Sequence, residues 1–126
     1  MNVEIVGLPN YVHNHRFASI SKKGLDGEYS NETVPAENIN DAEVVTSQRN
    51  GLGNWHRPIL DIDMAAHLIP SSTPGHFHLY IDKVMPWKDY EKLLLVLAEV
   101  GIIEYGYAQA SIDRQYTAVR LPWIRK

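Results

Sequence analysis

The segment from Arg57 to Asp82 reads RPILDIDMAAHLIPSSTPGHFHLYID and carries the strongest strand signals in the chain. Near its start, apolar residues alternate with Asp61 and Asp63, and near its end they alternate with His76 and His78. Because successive residues of a β-strand point to opposite faces of the sheet, we predict two strands here. Each would have one apolar face and one face that carries carboxylate or imidazole groups.

The length of 126 residues fits one domain with a single core. We expect that domain, residues 1–126, to consist of a loop-rich N-terminal part with short strands (1–55) and a core that carries the sequence motifs (56–126). Hydrophobic residues make up 44% of the chain and charged residues 21%, proportions that are typical of folded globular proteins. The composition therefore predicts an ordered domain rather than a disordered chain.

The charge and the cysteine count exclude several classes of protein. A net charge of −3 does not provide the global positive field by which dedicated duplex-DNA binders hold phosphates, so any nucleic-acid contact has to be local. The absence of cysteine excludes disulfides and thiolate zinc sites and leaves histidine and carboxylates as the strong metal ligands. No apolar run reaches the roughly 20 residues of a membrane span, and no signal-peptide pattern is present. We therefore expect a soluble cytoplasmic protein with no membrane partner.

The N-terminal part contains three short strand patterns separated by polar sequence. The stretches VEIVG (3–7), RFASIS (16–21) and EVVTS (43–47) are predicted strands. Residues 22–43 are rich in Gly, Asn, Asp, Glu and Pro, which is typical of a loop.

The C-terminal part contains the clearest helix pattern, PWKDYEKLLLVLAEVG. Pro86 suits the first position of a helix, Gly101 suits the position just past its end, and the apolar residues between them repeat at helical spacing. Residues 107–113 and 116–123 are predicted to form a β-hairpin. The fold class that follows is α+β, an RNA-recognition-motif-like antiparallel sheet with this helix packed on one face.

The face of the sheet that the helix leaves open would collect polar side chains from four strands. Its predicted members are Asp61, Asp63, His76, His78, Tyr80, Ser111, Asp113 and Arg120. Carboxylates that share a site repel one another unless a cation neutralises them, and oxygen ligands suit Mg²⁺ or Mn²⁺. We therefore predict that Asp61, Asp63 and Asp113 bind one or two such ions and act in phosphoryl transfer. The residues predicted to contact the nucleotide phosphates are Ser72, Thr73, His76, His78, Ser111 and Arg120.

The motifs PILDIDM and SSTPGHFHLYID resemble the first two motifs of the archaeo-eukaryotic primase superfamily, in particular its primase-polymerase branch. The stretch SIDRQYTAVRLPW is similar to the third motif and to the basic and apolar sequence that follows it. The resemblance covers residues 59–123 and extends to short proteins of tailed phages. It implies that Asp61, Asp63 and Asp113 bind the catalytic metal and that His78 contacts the phosphates of a nucleoside triphosphate. Single-stranded DNA or a template-primer would be a further partner, in the host cytoplasm.

Several alternatives to this minimal primase-like nucleotidyltransferase stay open at the level of sequence. One is a non-catalytic phage accessory module that binds a nucleotide, a nucleic acid or a host protein. Another is an iron or zinc site made of His76, His78 and a carboxylate. An exposed sheet edge in so small a domain also makes a homodimer reasonable. Burial in a core or an interface is the expected role of Trp55, Trp87 and Trp123.

Overall fold

The computed structural model of the chain describes residues 7–20, 33–36, 38–51 and 53–125. The chain divides into two compact units, Met1–Asp61 (the N-terminal unit) and Ile62–Lys126 (the C-terminal unit). This boundary separates Asp61 from Asp63. The prediction of one domain over 1–126, with a division at residue 55, stays a prediction, and the strand predicted for 3–7 lies outside the described residues.

The N-terminal unit contains a three-stranded antiparallel sheet in the order β2-β1-β3. Its strands are β1 (His15–Ile20), β2 (Thr33–Pro35) and β3 (Val44–Arg49). Two 3-10 helices, Asn10–Asn14 and Ile39–Asp41, precede β1 and β3. The strands predicted over 16–21 and 43–47 are thereby confirmed, whereas the loop predicted for 22–43 contains β2.

Val12 and Ala18 are buried hydrophobic side chains of the N-terminal unit. The register between β1 and β3 shifts between His15, which pairs with Arg49, and Phe17, which pairs with Val45. Three residues of β3 therefore lie opposite one residue of β1, an irregularity of the bulge type that bends a strand.

The C-terminal unit consists of a β-hairpin followed by two helices. The hairpin pairs β4 (Ala66–Pro70) with β5 (Phe77–Ile81), and the helices are α1 (Trp87–Glu99) and α2 (Tyr105–Arg114). The two helices pack on each other, and Leu94 and Ala108 are the unit's buried hydrophobic side chains among the described residues. The mixed α+β class is confirmed.

The loop of the hairpin explains why β4 and β5 pair as they do. His76 N–H donates to the carbonyl of Thr73, which closes a four-residue turn. Pro74 and Gly75 occupy its central positions, and Gly75 has φ +80°, as the third residue of a type II turn requires. Ser71 N–H donates to the His76 carbonyl, so the ladder begins directly outside this loop.

The bounds of helix α1 agree closely with those of the predicted helix, because both ends carry the residues expected at helix termini. Pro86 immediately precedes the first helical residue, and Gly101 follows the C-cap with φ +83°. Ile102 N–H donates to the Leu97 carbonyl and Gly101 N–H donates to the Ala98 carbonyl. This pair of bonds is the Schellman arrangement that favours glycine after a helix.

Three predicted strands are wrong. Residues 59–63 form no strand and β4 begins only at Ala66, because the turn pairs β5 with residues 66–70. Residues 107–113 lie in α2, and residues 116–123 form no regular element. The alternation in YAQASID wrongly predicted a strand. The segment is helical because Ala and Gln are good helix formers and because Ala108 and Ser111, one turn apart, are both buried.

The apolar face of the hairpin is exposed, contrary to the prediction that the helix at 86–100 covers it. Directly paired residues share a face, so Leu68, Phe77, Leu79 and Ile81 lie together with Ala66 and Pro70. The four large side chains are 62%, 55%, 58% and 44% exposed, respectively. We call these four residues the hairpin apolar face.

The three tryptophans differ in exposure. Trp55 and Trp123 are exposed, so burial in a core is wrong for both, whereas burial in an interface stays a prediction. Trp87 is half-buried and packs edge-to-face on Tyr90, with ring centroids 5.7 Å apart.

Candidate functional site

The three carboxylates predicted to bind metal do not lie on neighbouring strands. Asp61 and Asp63 belong to different units, and Asp113 lies in the last turn of α2, where it accepts a hydrogen bond from Gln109 Nε2 at 3.0 Å. All three are exposed. Among residues 7–20, 33–36, 38–51 and 53–125, no three His, Asp or Glu side chains come together in a group that could hold a metal ion.

The same finding applies to the histidines. His78 is half-buried in β5 opposite Ile69, whereas His76 is exposed in the hairpin loop. Within the part of the chain that the structure describes, neither joins a group of three ligands of the kind an iron or zinc site needs. The predicted binding of Mg²⁺ or Mn²⁺ stays a prediction.

Two of the residues predicted to contact phosphate, Ser111 and Arg120, do not lie on the predicted hairpin. Ser111 is fully buried in α2, with 0% of its surface exposed, so its hydroxyl does not face solvent. Arg120 is exposed in the irregular segment after α2, and its predicted strand is absent. Neither residue lies on the strand that was predicted for it, and their contacts with phosphate stay predictions.

Two more of the residues predicted to contact phosphate, Ser72 and Thr73, line an open cavity of about 470 Å³ in the C-terminal unit. We call it the loop cavity. Its lining residues come from the hairpin loop and from the end of the chain: Pro70, Ser71, Ser72, Thr73, Pro122 and Arg125. The volume lies within the range of small-molecule sites.

Hydrogen bonds within the hairpin loop join Ser71 to Thr73 but do not include Ser72. Ser71 Oγ donates to the Thr73 carbonyl at 3.2 Å and accepts from Thr73 N–H at 3.1 Å. Among the described residues, Ser72 makes no hydrogen bond through its hydroxyl or its N–H. Ser72 is also exposed, so both groups can reach a ligand in the loop cavity.

Arg125 supplies the positive charge of the loop cavity. It is exposed, and no carboxylate of the described residues lies within ion-pair distance of its guanidinium. A guanidinium, a free hydroxyl and a free N–H are the donors with which proteins bind phosphate oxygens. The arrangement therefore suits an anion, and a phosphate group in particular.

Arg125 was not predicted as a site residue. The strand predicted for 116–123 placed Arg120, and not the basic pair RK at 125–126, in the predicted site. The course of the chain after α2 brings Pro122 and Arg125, rather than Arg120, to the hairpin loop.

The described residues contain no helix that is both long and apolar enough to cross a membrane. No model of a known protein family matches the chain, and neither a curated protein nor a solved structure shows a match to it. The resemblance to primases stays a prediction that depends on the motifs themselves.

Proposed function

We propose that this chain is a non-catalytic binding module for a small phosphate-bearing ligand, with a nucleoside triphosphate as the first candidate. The observation that carries the proposal is that Ser72, Thr73 and Arg125 line one cavity and that Ser72 and Arg125 have no partner among the described residues. The resemblance of SSTPGHFHLY to the second primase motif supports the same ligand class.

The placement of the carboxylates favours binding over catalysis. Nucleotidyl transfer by two metal ions needs acidic ligands that converge on both ions. Within the described residues no such group of three is present, and Asp113 lies on a helix rather than on the predicted sheet. The accessory-module alternative thus has better support from the residues than the minimal primase-like enzyme.

The test is calorimetric titration of a non-hydrolysable nucleoside triphosphate into the wild-type chain and three variants. Arg125→Gln and Ser72→Ala should each weaken binding, Arg125→Gln by about tenfold, because each removes a donor to the phosphates. Arg120→Gln is the matched control, since it removes the same charge outside the cavity lining. Equal loss in Arg120→Gln and Arg125→Gln, or no saturable binding by wild type, would contradict the proposal.

A separate assay, with Mn²⁺ and a hydrolysable nucleoside triphosphate, decides between module and enzyme. The module predicts that Mn²⁺ does not produce turnover of nucleoside triphosphate and that Asp61→Ala/Asp63→Ala leaves nucleotide binding unchanged. Mn²⁺-dependent turnover that disappears in this double variant would instead establish the primase-like activity.

The hairpin apolar face supports a second candidate function, association with a second copy of the chain. Exposed contiguous apolar surface marks interaction sites, and the face carries no charge. Two identical faces can therefore meet around a two-fold axis without like-charge repulsion. Leu79→Lys should convert a dimer to a monomer in sedimentation experiments, whereas His67→Lys, on the opposite face of the hairpin, should not. A wild-type chain that stays monomeric at high concentration would refute this function.

Three further expectations remain predictions that accompany these proposals. They are an RNA-recognition-motif-like arrangement of the sheets, single-stranded DNA as a partner, and a phage protein that acts in the host cytoplasm. The loop cavity and the hairpin apolar face do not depend on any of them.

A further inference from the structure

A group of cationic side chains lies in the N-terminal unit, around His15. His15 pairs directly with Arg49 across β1 and β3, so both side chains lie on the same face of the sheet. Arg57 Nη1 lies 3.5 Å from His15 Nε2 and 3.5 Å from the Tyr11 carbonyl. The Arg57 guanidinium also stacks over the Tyr11 ring, 5.0 Å from its centroid. We call Tyr11, His15, Arg49 and Arg57 the arginine cluster.

Backbone hydrogen bonds hold Arg57 beside β3. Arg57 N–H donates to the Ser47 carbonyl at 3.0 Å, and Arg49 N–H donates to the Trp55 carbonyl at 3.1 Å. The segment 55–57 therefore runs next to the strand that carries Arg49. The backbone of both arginines is therefore held by hydrogen bonds along β3.

His15 orients Arg57 without neutralising it. Its ring is buried, with 1% of the residue exposed, and Nδ1 lies 2.7 Å from the Thr46 carbonyl. Because a carbonyl can only accept, Nδ1 carries the hydrogen of this bond. Nε2 is then the ring nitrogen that faces the Arg57 guanidinium as an acceptor.

The two arginines have no counter-charge within the described residues. Among the described residues, Arg57 contacts Tyr11 and His15, and the Nε of Arg49 is buried without a hydrogen-bond partner. No described carboxylate lies within ion-pair distance of either guanidinium. Both residues are half-buried, so water compensates their charges only in part.

We propose that the arginine cluster is a binding site for the phosphate group of a small phosphomonoester. A phosphomonoester carries about −1.5 to −2 charges at pH 7 and offers three acceptor oxygens. It thus matches two guanidinium groups, whereas a carboxylate would compensate only one of them. The site lies wholly in the N-terminal unit, and its proposal is independent of the loop cavity.

The test is NMR titration of the ¹⁵N-labelled full chain with inorganic phosphate and with ribose 5-phosphate, at constant ionic strength. We expect saturable shifts of the backbone amides of His15, Arg49 and Arg57, with tighter binding of the ester if an attached group contributes. Acetate at equal ionic strength is the monoanion control and should bind at least about tenfold more weakly. Absence of saturable shifts at these amides, or equal shifts with acetate, would overturn the site.

Variants separate this site from the loop cavity. Arg49→Gln/Arg57→Gln should abolish the shifts in the N-terminal unit, whereas Arg125→Gln should leave them unchanged. Arg16→Gln is the matched control, because it removes the same charge from β1. Arg16 is adjacent to His15 in the strand, so its side chain lies on the opposite face of the sheet, and it donates to Gln48 Oε1. Shifts of the backbone amides at positions 49 and 57 that persist in the double variant would contradict the proposal. Equal loss of these shifts in Arg16→Gln would contradict it as well. Should the double variant not fold, Arg49→Lys/Arg57→Lys keeps both charges and should still weaken binding, because lysine lacks the planar fork.

Discussion

Replacing Ser111 by alanine should stabilise the C-terminal unit, because the hydroxyl of this residue is buried without a partner. Ser111 is 0% exposed, and its Oγ has no hydrogen-bond partner among the described residues. A buried hydroxyl that makes no hydrogen bond costs about 1–3 kcal/mol, and alanine exceeds serine in helix propensity by about 0.5 kcal/mol. We therefore expect Ser111→Ala to raise the free energy of unfolding by about 1–3 kcal/mol.

Urea denaturation followed by far-UV circular dichroism and by tryptophan fluorescence measures this change. Ala108→Ser is the reciprocal control: Ala108 is buried in the same helix, one turn before Ser111, so a hydroxyl there should lower the free energy of unfolding by a similar amount. A loss of stability in Ser111→Ala would falsify the reasoning, since it would mean that the hydroxyl makes a favourable hydrogen bond. Nucleotide affinity should not change, and a clear decrease would return Ser111 to the binding site predicted from the sequence.

Three smaller perturbations test other parts of the C-terminal unit by thermal denaturation. Gln115 follows α2 with φ +67°, so Gln115→Gly should stabilise the unit by about 0.5–1 kcal/mol; a decrease would contradict the strain assigned to this position. Gly75→Ala should destabilise the hairpin by about 1 kcal/mol, because its φ of +80° disfavours a Cβ atom; unchanged stability would refute the turn geometry. Tyr90→Phe should lower the free energy of unfolding by about 0.5–1.5 kcal/mol through loss of the 2.6 Å bond between its hydroxyl and Thr117 Oγ1, and a matching loss in Thr117→Val would assign the cost to that bond.

The candidate sites depend on contacts between distant parts of the chain. Ser72 and Thr73 were predicted from their loop, but Arg125 joins them only because the segment after α2 returns to the hairpin. The arginine cluster was not predicted at all, because it forms when β1 pairs with β3 across about thirty residues of sequence. No local pattern reports such pairings, which depend on the packing of the whole unit.

The sequence by itself determined the elements whose signals are local. Helix α1 follows from its apolar spacing together with Pro86 and Gly101, and the hairpin turn follows from Thr73-Pro74-Gly75. The alternation of β5 correctly assigned Leu79 and Tyr80 to opposite faces.

Only the tertiary structure decided which elements pair or pack with each other. It also decided whether the short ambiguous segments form a strand, a helix or neither. Residues 59–63 alternate like a strand but find no strand to pair with, and residues 107–113 alternate as well but are helical because α1 offers a surface on which they pack. The physical reason is that turns and helix caps are satisfied within a few residues, whereas a strand needs hydrogen bonds from another strand and a short helix needs an apolar neighbour.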